Sequence, residues 1–217
     1  PQSLLFVQLL QCVAGTALVL AVVWLGWSLV PDHESVGWIA GLGAALYPTH
    51  LYMVTHLQVA VWAALLLTLL LAVVFSPRLQ ATWRGSIVAG ILAGLLLLVE
   101  PILALALPVA AAAFCLPELA RRGTLFAPAP LGRIAAMAAV AALVIAPWTI
   151  RNWRVHGEPV FIKSSFGYAF WQGNHPLSWG TDKLPKPSVE PIRQDNDGTL
   201  RSIDRALWEA RHETLYI

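Results

Sequence analysis

Polar residues are sparse and gathered in this chain, and the apolar stretches between them predict its elements. Residues 4–30 are apolar apart from Gln8, Gln11 and small polar side chains, long enough to cross about 30 Å of hydrocarbon with some tilt. A tight polar turn follows at 31–35 (Pro31, Asp32, His33, Glu34, Ser35). Residues 36–48 form a short span rich in Gly and Ala, a composition suited to close helix packing. A polar turn over 49–56 leads into a full-length span at 57–75. Residues 86–116 are too long for one crossing and marginal for two. Glu100-Pro101 at their centre predicts two short helices meeting at a break. Residues 134–150 are the last span.

The pattern changes at Ile150. Before it the only bases are Arg78, Arg84, Arg121, Arg122 and Arg133, and the only acids are Asp32, Glu34, Glu100 and Glu118; residues 151–217 hold nine bases and eight acids. Residues 1–150 therefore read as a transmembrane helical domain and 151–217 as an aqueous segment. In that segment 160–163 and 168–171 are strand-like around a turn-like 164–167, which predicts a hairpin. Residues 185–197 are a polar linker, and Ile203, Ala206, Leu207 and Ala210 fall at helical spacing. The fold class expected is an all-α polytopic membrane protein of about six spans or half-spans, with a small mixed segment after it.

Composition agrees: 58% of the 217 residues are apolar and 12% charged, against about 25% charged in soluble domains. The net charge of +2 does not point to nucleic acid, because the bases sit in membrane loops or are balanced by acids. The bilayer is the partner expected. Cys12 and Cys115 lie inside apolar runs and read as small buried hydrophobes. No signal peptide precedes the first span, Pro1 is not a natural start, and the chain stops inside a helical pattern, so it reads as a fragment of a longer protein.

Arginine placement sets the expected orientation. Residues 76–85 carry Arg78 and Arg84, and 117–133 carry Arg121, Arg122 and Arg133; both loops fall on one side if 86–116 crosses twice, and that side is expected to be cytoplasmic. The turn at 49–56 lacks Lys and Arg and lies opposite. The tail from Arg151 then falls outside, in an inner-membrane protein. Arg151 and Arg154 run against that charge bias, which hints at a task there. Trp83, Trp148 and Trp153 sit at expected interfaces, as amphipathic rings prefer.

Four groups of residues could carry chemistry. Glu100 is the one ionisable side chain deep in an apolar stretch, where a charge costs about 2.5–3.5 kcal/mol on insertion scales. It either meets a ligand at the break or is hydrated near the outer interface. His50, His56 and Gln58 cluster with Tyr47 and Tyr52 at the outer end of the third span, but histidines six apart do not share a helical face well, so a metal pair is weakly indicated. Capping of a helix by interfacial polar residues is the alternative. Arg151, Asn152 and Arg154 present planar guanidinium forks that bind phosphate oxygens in pairs, beside a leaflet whose natural anion is a lipid phosphate. Headgroup anchoring is the plainer use of such a cluster. Trp171, Gln172, Gly173 and Asn174 combine an aromatic platform, amide donors and a glycine free to take positive φ, which suits a sugar or a structural turn equally. Asp195, Asn196, Asp197 and Gly198 lack the remaining ligands of a calcium loop. No cofactor is identified, and nothing indicates a divalent metal.

Pro147, Trp148, Thr149, Ile150, Arg151 and Asn152, then Val155, Gly157, Ser164, Ser165, Gly167, Trp171, Gly173, Asn174 and Pro176, resemble the outer-face signature of the bacterial protein-mannosyltransferase-like membrane glycosyltransferases. These are similar to the dolichyl-phosphate-mannose protein mannosyltransferases and the lipid A aminoarabinose transferases, of the C-type glycosyltransferase fold. Upstream, Gly37, Ala40, the run Ala44-Ala45-Leu46-Tyr47-Pro48, Gly90, the run from Gly94 to Glu100-Pro101, and Pro108 follow the same order more loosely. The resemblance implies inverting transfer of a sugar from a polyprenyl-phosphate donor to an acceptor at the outer face. It also implies Arg151 and Arg154 near the donor phosphate, with Trp171, Gly173 and Asn174 in the floor of the outer domain. A carboxylate in the first outer loop would act as base; no residue here matches it, and it is expected before Pro1, which would leave the isolated piece inactive. Two departures touch polar positions near the implied site. Thr55-His56-Leu57-Gln58 stands where relatives often show Thr-Glu, and Glu100-Pro101 where they often show Arg-Pro or Lys-Gly. Three hypotheses follow: a membrane glycosyltransferase, a transporter or flippase with paired broken helices, and an inactive homologue or membrane scaffold.

Overall fold

Long uncharged stretches leave backbone N–H and C=O groups as one another's best partners, so they close into helices. In the computed structural model, which describes residues 2–56, 58–123, 128–157 and 162–163, the α-helices are α1 (Gln2–Leu29), α2 (Glu34–Leu46), α3 (Pro48–Thr55), α4 (Ala60–Phe75), α5 (Trp83–Val99), α6 (Leu107–Arg122) and α7 (Pro128–His156). A 3-10 segment, Pro101–Ala106, runs into α6. The described residues include no strand. Three helical stretches, Leu5–Leu29, Pro101–Arg121 and Pro128–Val155, are long and apolar enough to cross a membrane; Ala60–Phe75 and Trp83–Val99 are apolar but shorter. The chain divides into two compact units, Pro1–Trp148 and Thr149–Ile217.

Identifiable residues set the helix ends. The Thr82 hydroxyl accepts the Gly85 N–H at 3.0 Å and caps α5. At Glu100 the backbone turns extended (φ −144°, ψ 93°), as the residue before a proline prefers, and the expected break at Glu100-Pro101 is present. Gly123 closes α6 with φ +66°, its N–H bonded to the Leu119 carbonyl at 2.9 Å. Gly157 closes α7 in the same way on Trp153.

Small residues let the helices approach. A Cβ on Gly26 would lie 2.6 Å from the Gly37 Cα, and one on Gly37 would lie 2.5 Å from the Trp27 ring. These contacts and Gly41 against Val23 seat α2 antiparallel on α1. A Cβ on Gly90 would meet the Met137 carbonyl at 2.7 Å, and one on Gly94 would meet Val144 at 2.7 Å. The i, i+4 glycines thus bed α7 against α5, the pattern apolar media favour for helix association. Leu70, Val73, Leu96, Phe114, Met137 and Ala141 fill the buried core between α4, α5, α6 and α7. Outward, Leu143, Leu105, Ile39 and Ile102 are each at least 70% exposed, a surface of large apolar residues that suits hydrocarbon rather than water.

Three expectations change. The polar turn at 49–56 contains the helix α3, because Pro48 supplies an N1 residue after the extended Tyr47 (φ −69°, ψ 117°). The span expected at 57–75 begins only at Ala60, since the backbone is extended at His56. The second half of 86–116 is not short: its 3-10 segment and α6 together make a spanning length. Cys115 is buried as expected, but Cys12 is exposed. The hairpin, linker and final helix expected at 160–217 lie outside the described residues, apart from Ile162 and Lys163, which form a bend and coil.

The first unit has two chemically different ends. At one, Gln80 Nε2 donates to the Ala113 carbonyl and the Trp83 ring lies against Gly132, which brings together Arg78, Arg84, Arg121 and Arg133. At the other lie α3, the start of α4 and the α5–α6 break with Glu100. Replacing Gly94 by Val should drive its branches into Val144 and destabilise the bundle by about 1–3 kcal/mol. Gly43→Ala, with open space around it, should be neutral or slightly stabilising. Thermal unfolding of both variants in detergent checks the contrast.

Candidate functional site

The polar candidates of the first unit gather at its arginine-free end. α3 approaches α1 closely because Gly15 lacks a side chain; a Cβ there would meet Val54 at 2.6 Å and the His50 ring at 3.4 Å. His50 is thereby half-buried between two mainly apolar grooves of about 350 and 410 Å³. Cys12, Thr16 and Leu51 line the first with it, and Leu18, Met53 and Val61 the second. An imidazole so placed can hydrogen-bond a polar head whose apolar body lies in either groove.

His56 does not face His50's grooves. Its ring stacks on Tyr52 at 3.9 Å between centroids, with Nδ1 2.9 Å from the Tyr52 carbonyl. A carbonyl only accepts, so neutral His56 carries its proton on Nδ1 and leaves Nε2 as the acceptor. The Thr55 hydroxyl donates to the same carbonyl at 2.9 Å. This ring is therefore held as a C-terminal cap of α3. Gln58 is exposed and takes part through its backbone: its carbonyl accepts from Gln11 Nε2 at 2.9 Å. Glu100 is half-buried at the C-cap of α5, and its backbone carbonyl accepts from Leu103 N–H at 3.1 Å.

Two buried polar groups went unrecognised in the sequence as site candidates. Gln11 is 2% exposed and its Oε1 has no hydrogen-bond partner among the described residues, beside the residues around His50. The signal available was a lone amide in a long apolar run. Arg133 is 7% exposed and occupies the buried stripe of α7 one turn before Met137; its Nε likewise has no partner among the described residues.

In the second unit Arg151, Asn152 and Arg154 occupy the last turns of α7. Both arginines are exposed, while Asn152 is buried. Arg151 Nη1 donates to Asn152 Oδ1 at 3.3 Å, which biases the guanidinium toward one direction. Trp148 and Trp153 are exposed nearby along the helix. Trp171, Gly173 and Asn174 lie outside the described residues. Among the described residues no group of three or more His, Cys, Asp or Glu side chains is placed to hold a metal ion.

No protein-family model, no curated protein and no solved structure matches the chain. The tautomer assignment carries its own check: nitrogen NMR of the labelled protein at neutral pH should show His56 as the Nδ1–H form. An Nε2–H signal for His56 would break the cap described here.

Proposed function

We propose that the chain is part of a polytopic inner-membrane glycosyltransferase of the C-type fold. It would move a sugar from a polyprenyl-phosphate donor to a protein, lipid or glycan acceptor outside the cytoplasm. The observation that carries this reading is the end of α7: an apolar stretch of spanning length finishing in two exposed arginines, one steered by a buried asparagine. A lipid-borne phosphate suits that position, because its prenyl chain stays in hydrocarbon while its oxygens meet the guanidinium fork. The sequence resemblance supplies the chemistry.

In the implied reaction an acceptor hydroxyl gives its proton to a carboxylate and attacks the anomeric carbon. The bond from that carbon to the phosphate oxygen breaks, the configuration inverts, and polyprenyl phosphate departs as an anion. Arg151 and Arg154 would stabilise the charge growing on the departing phosphate. His50, Gln58 and Glu100 belong to the arginine-free end, which the loop-charge bias assigns to the outer side. A flippase reading draws on one specific feature, the two interrupted helices at Tyr47-Pro48 and Glu100-Pro101 at that end.

Transfer assays on the natural protein containing this chain, reconstituted in liposomes with polyprenyl-phosphate sugars, test the proposal. Arg151→Ala should raise the donor KM by about tenfold or more, the loss of a charge-assisted hydrogen bond, and leave the acceptor KM nearly unchanged. Equal effects on both substrates would make the arginine structural. Lipid movement across the bilayer without sugar transfer would favour the flippase, and retention of polyprenyl phosphate without either would favour an inactive homologue.

A further inference from the structure

The arginine-rich end of the first unit holds a pocket of about 490 Å³, within the roughly 300–1,000 Å³ usual for small-ligand sites. It opens where the C-terminal ends of α1 and α4 meet the turn into α2. Trp24 and Trp27 supply aromatic walls, and Ser28, Glu34, Ser76 and Arg78 supply the polar lining. The Trp27 ring is fixed there. Its Nε1 donates to the Glu34 backbone carbonyl at 3.0 Å, and it packs in a T-shaped pair with Trp38, ring centroids 5.4 Å apart.

Two observations say that this pocket is built for something carrying both signs of charge. Ser28 and Ser76 lie in its wall, where their hydroxyls can meet a ligand. Glu34 and Arg78 line the same space without forming an ion pair with each other among the described residues. A ligand of one sign would satisfy one and be repelled by the other. The helices add to the asymmetry: neither α1 nor α4 has a basic residue in its last turn. Their negative dipole ends therefore join Glu34 and the tryptophan faces in favouring a cation, and Arg78 is left to favour an anion.

We propose that this pocket binds a phosphoethanolamine group, with its phosphate on Arg78 and its ammonium between Glu34 and the tryptophans. Ser28 and Ser76 hydrogen-bond the bridging oxygens. The site lies at the helix ends, at headgroup depth for a bundle spanning a bilayer, and it is independent of the glycosyl-transfer reading. The same chemistry is offered by an ethanolamine phospholipid of the leaflet and by a soluble phosphoethanolamine.

The full chain, purified in detergent and titrated with phosphatidylethanolamine, phosphatidylglycerol or phosphatidylcholine, is followed by native mass spectrometry of the retained lipid. Phosphatidylethanolamine should be retained about tenfold better than either of the others, the equivalent of one charge-assisted contact. Arg78→Gln should lower retention of all three lipids, and Glu34→Gln should erase the preference for phosphatidylethanolamine, neither moving the unfolding temperature. Competition by soluble glycerophosphoethanolamine would identify a free ligand, and failure to compete would identify the lipid. Equal retention of the three lipids by the unaltered chain, or a preference that survives Glu34→Gln, overturns the site.

Discussion

The approach of α7 to α5 across Gly90 and Gly94 is the contact on which the rest of the first unit depends. Between apolar helices in hydrocarbon there is little hydrophobic drive, so association rests on dispersion across closely fitted surfaces. A missing Cβ at each glycine lets the Met137 carbonyl and the Val140 and Val144 side chains settle onto the α5 backbone. That fit makes α5 and α7 parallel, with α6 returning between their sequence positions. It also carries Glu100 to the end opposite the arginines. Gly26, Gly37 and Gly41 perform the same service for α1 and α2.

Two ends of contrasting chemistry follow. One gathers Arg78, Arg84, Arg121 and Arg133 with Trp83, and contains the pocket lined by Glu34 and Arg78. The other has no arginine or lysine in the first unit, and holds His50 between two apolar grooves with the buried Gln11 side chain close by. A charge split of this kind orients a bundle in a bilayer.

The interruptions in the helices belong to this second end. Tyr47-Pro48 separates α2 from α3, and Glu100-Pro101 separates α5 from its continuation. Each proline removes a backbone donor and forces its predecessor out of helical conformation. The carbonyls released in this way need partners, and backbone N–H groups supply some of them, as Leu103 does for Glu100.

The last span, expected at 134–150, lies inside a longer helix, Pro128–His156; residue order alone determined the helical fold class, the first span and the break at Glu100-Pro101. Each rests on local chemistry: run length, charge exclusion and the geometry that proline imposes on its neighbour. The arginines expected in loops 76–85 and 117–133 lie mostly in helices: Arg84 in α5, Arg121 and Arg122 in α6 and Arg133 in α7, with Arg78 alone in a turn among those five. Only the tertiary structure decided which polar side chains meet. Gln11 reads as a tolerated amide in α1 until α1 packs against the start of α4 and brings it to the Gln58 carbonyl. Ser28, Glu34, Ser76 and Arg78 share no sequence motif, because they come from the ends of three elements that converge in space. His50 and His56 look like a pair in the sequence, yet one lines the grooves while the other turns back to cap its own helix. Hydrophobic pattern is written residue by residue, whereas a site depends on distances between segments that no local pattern encodes.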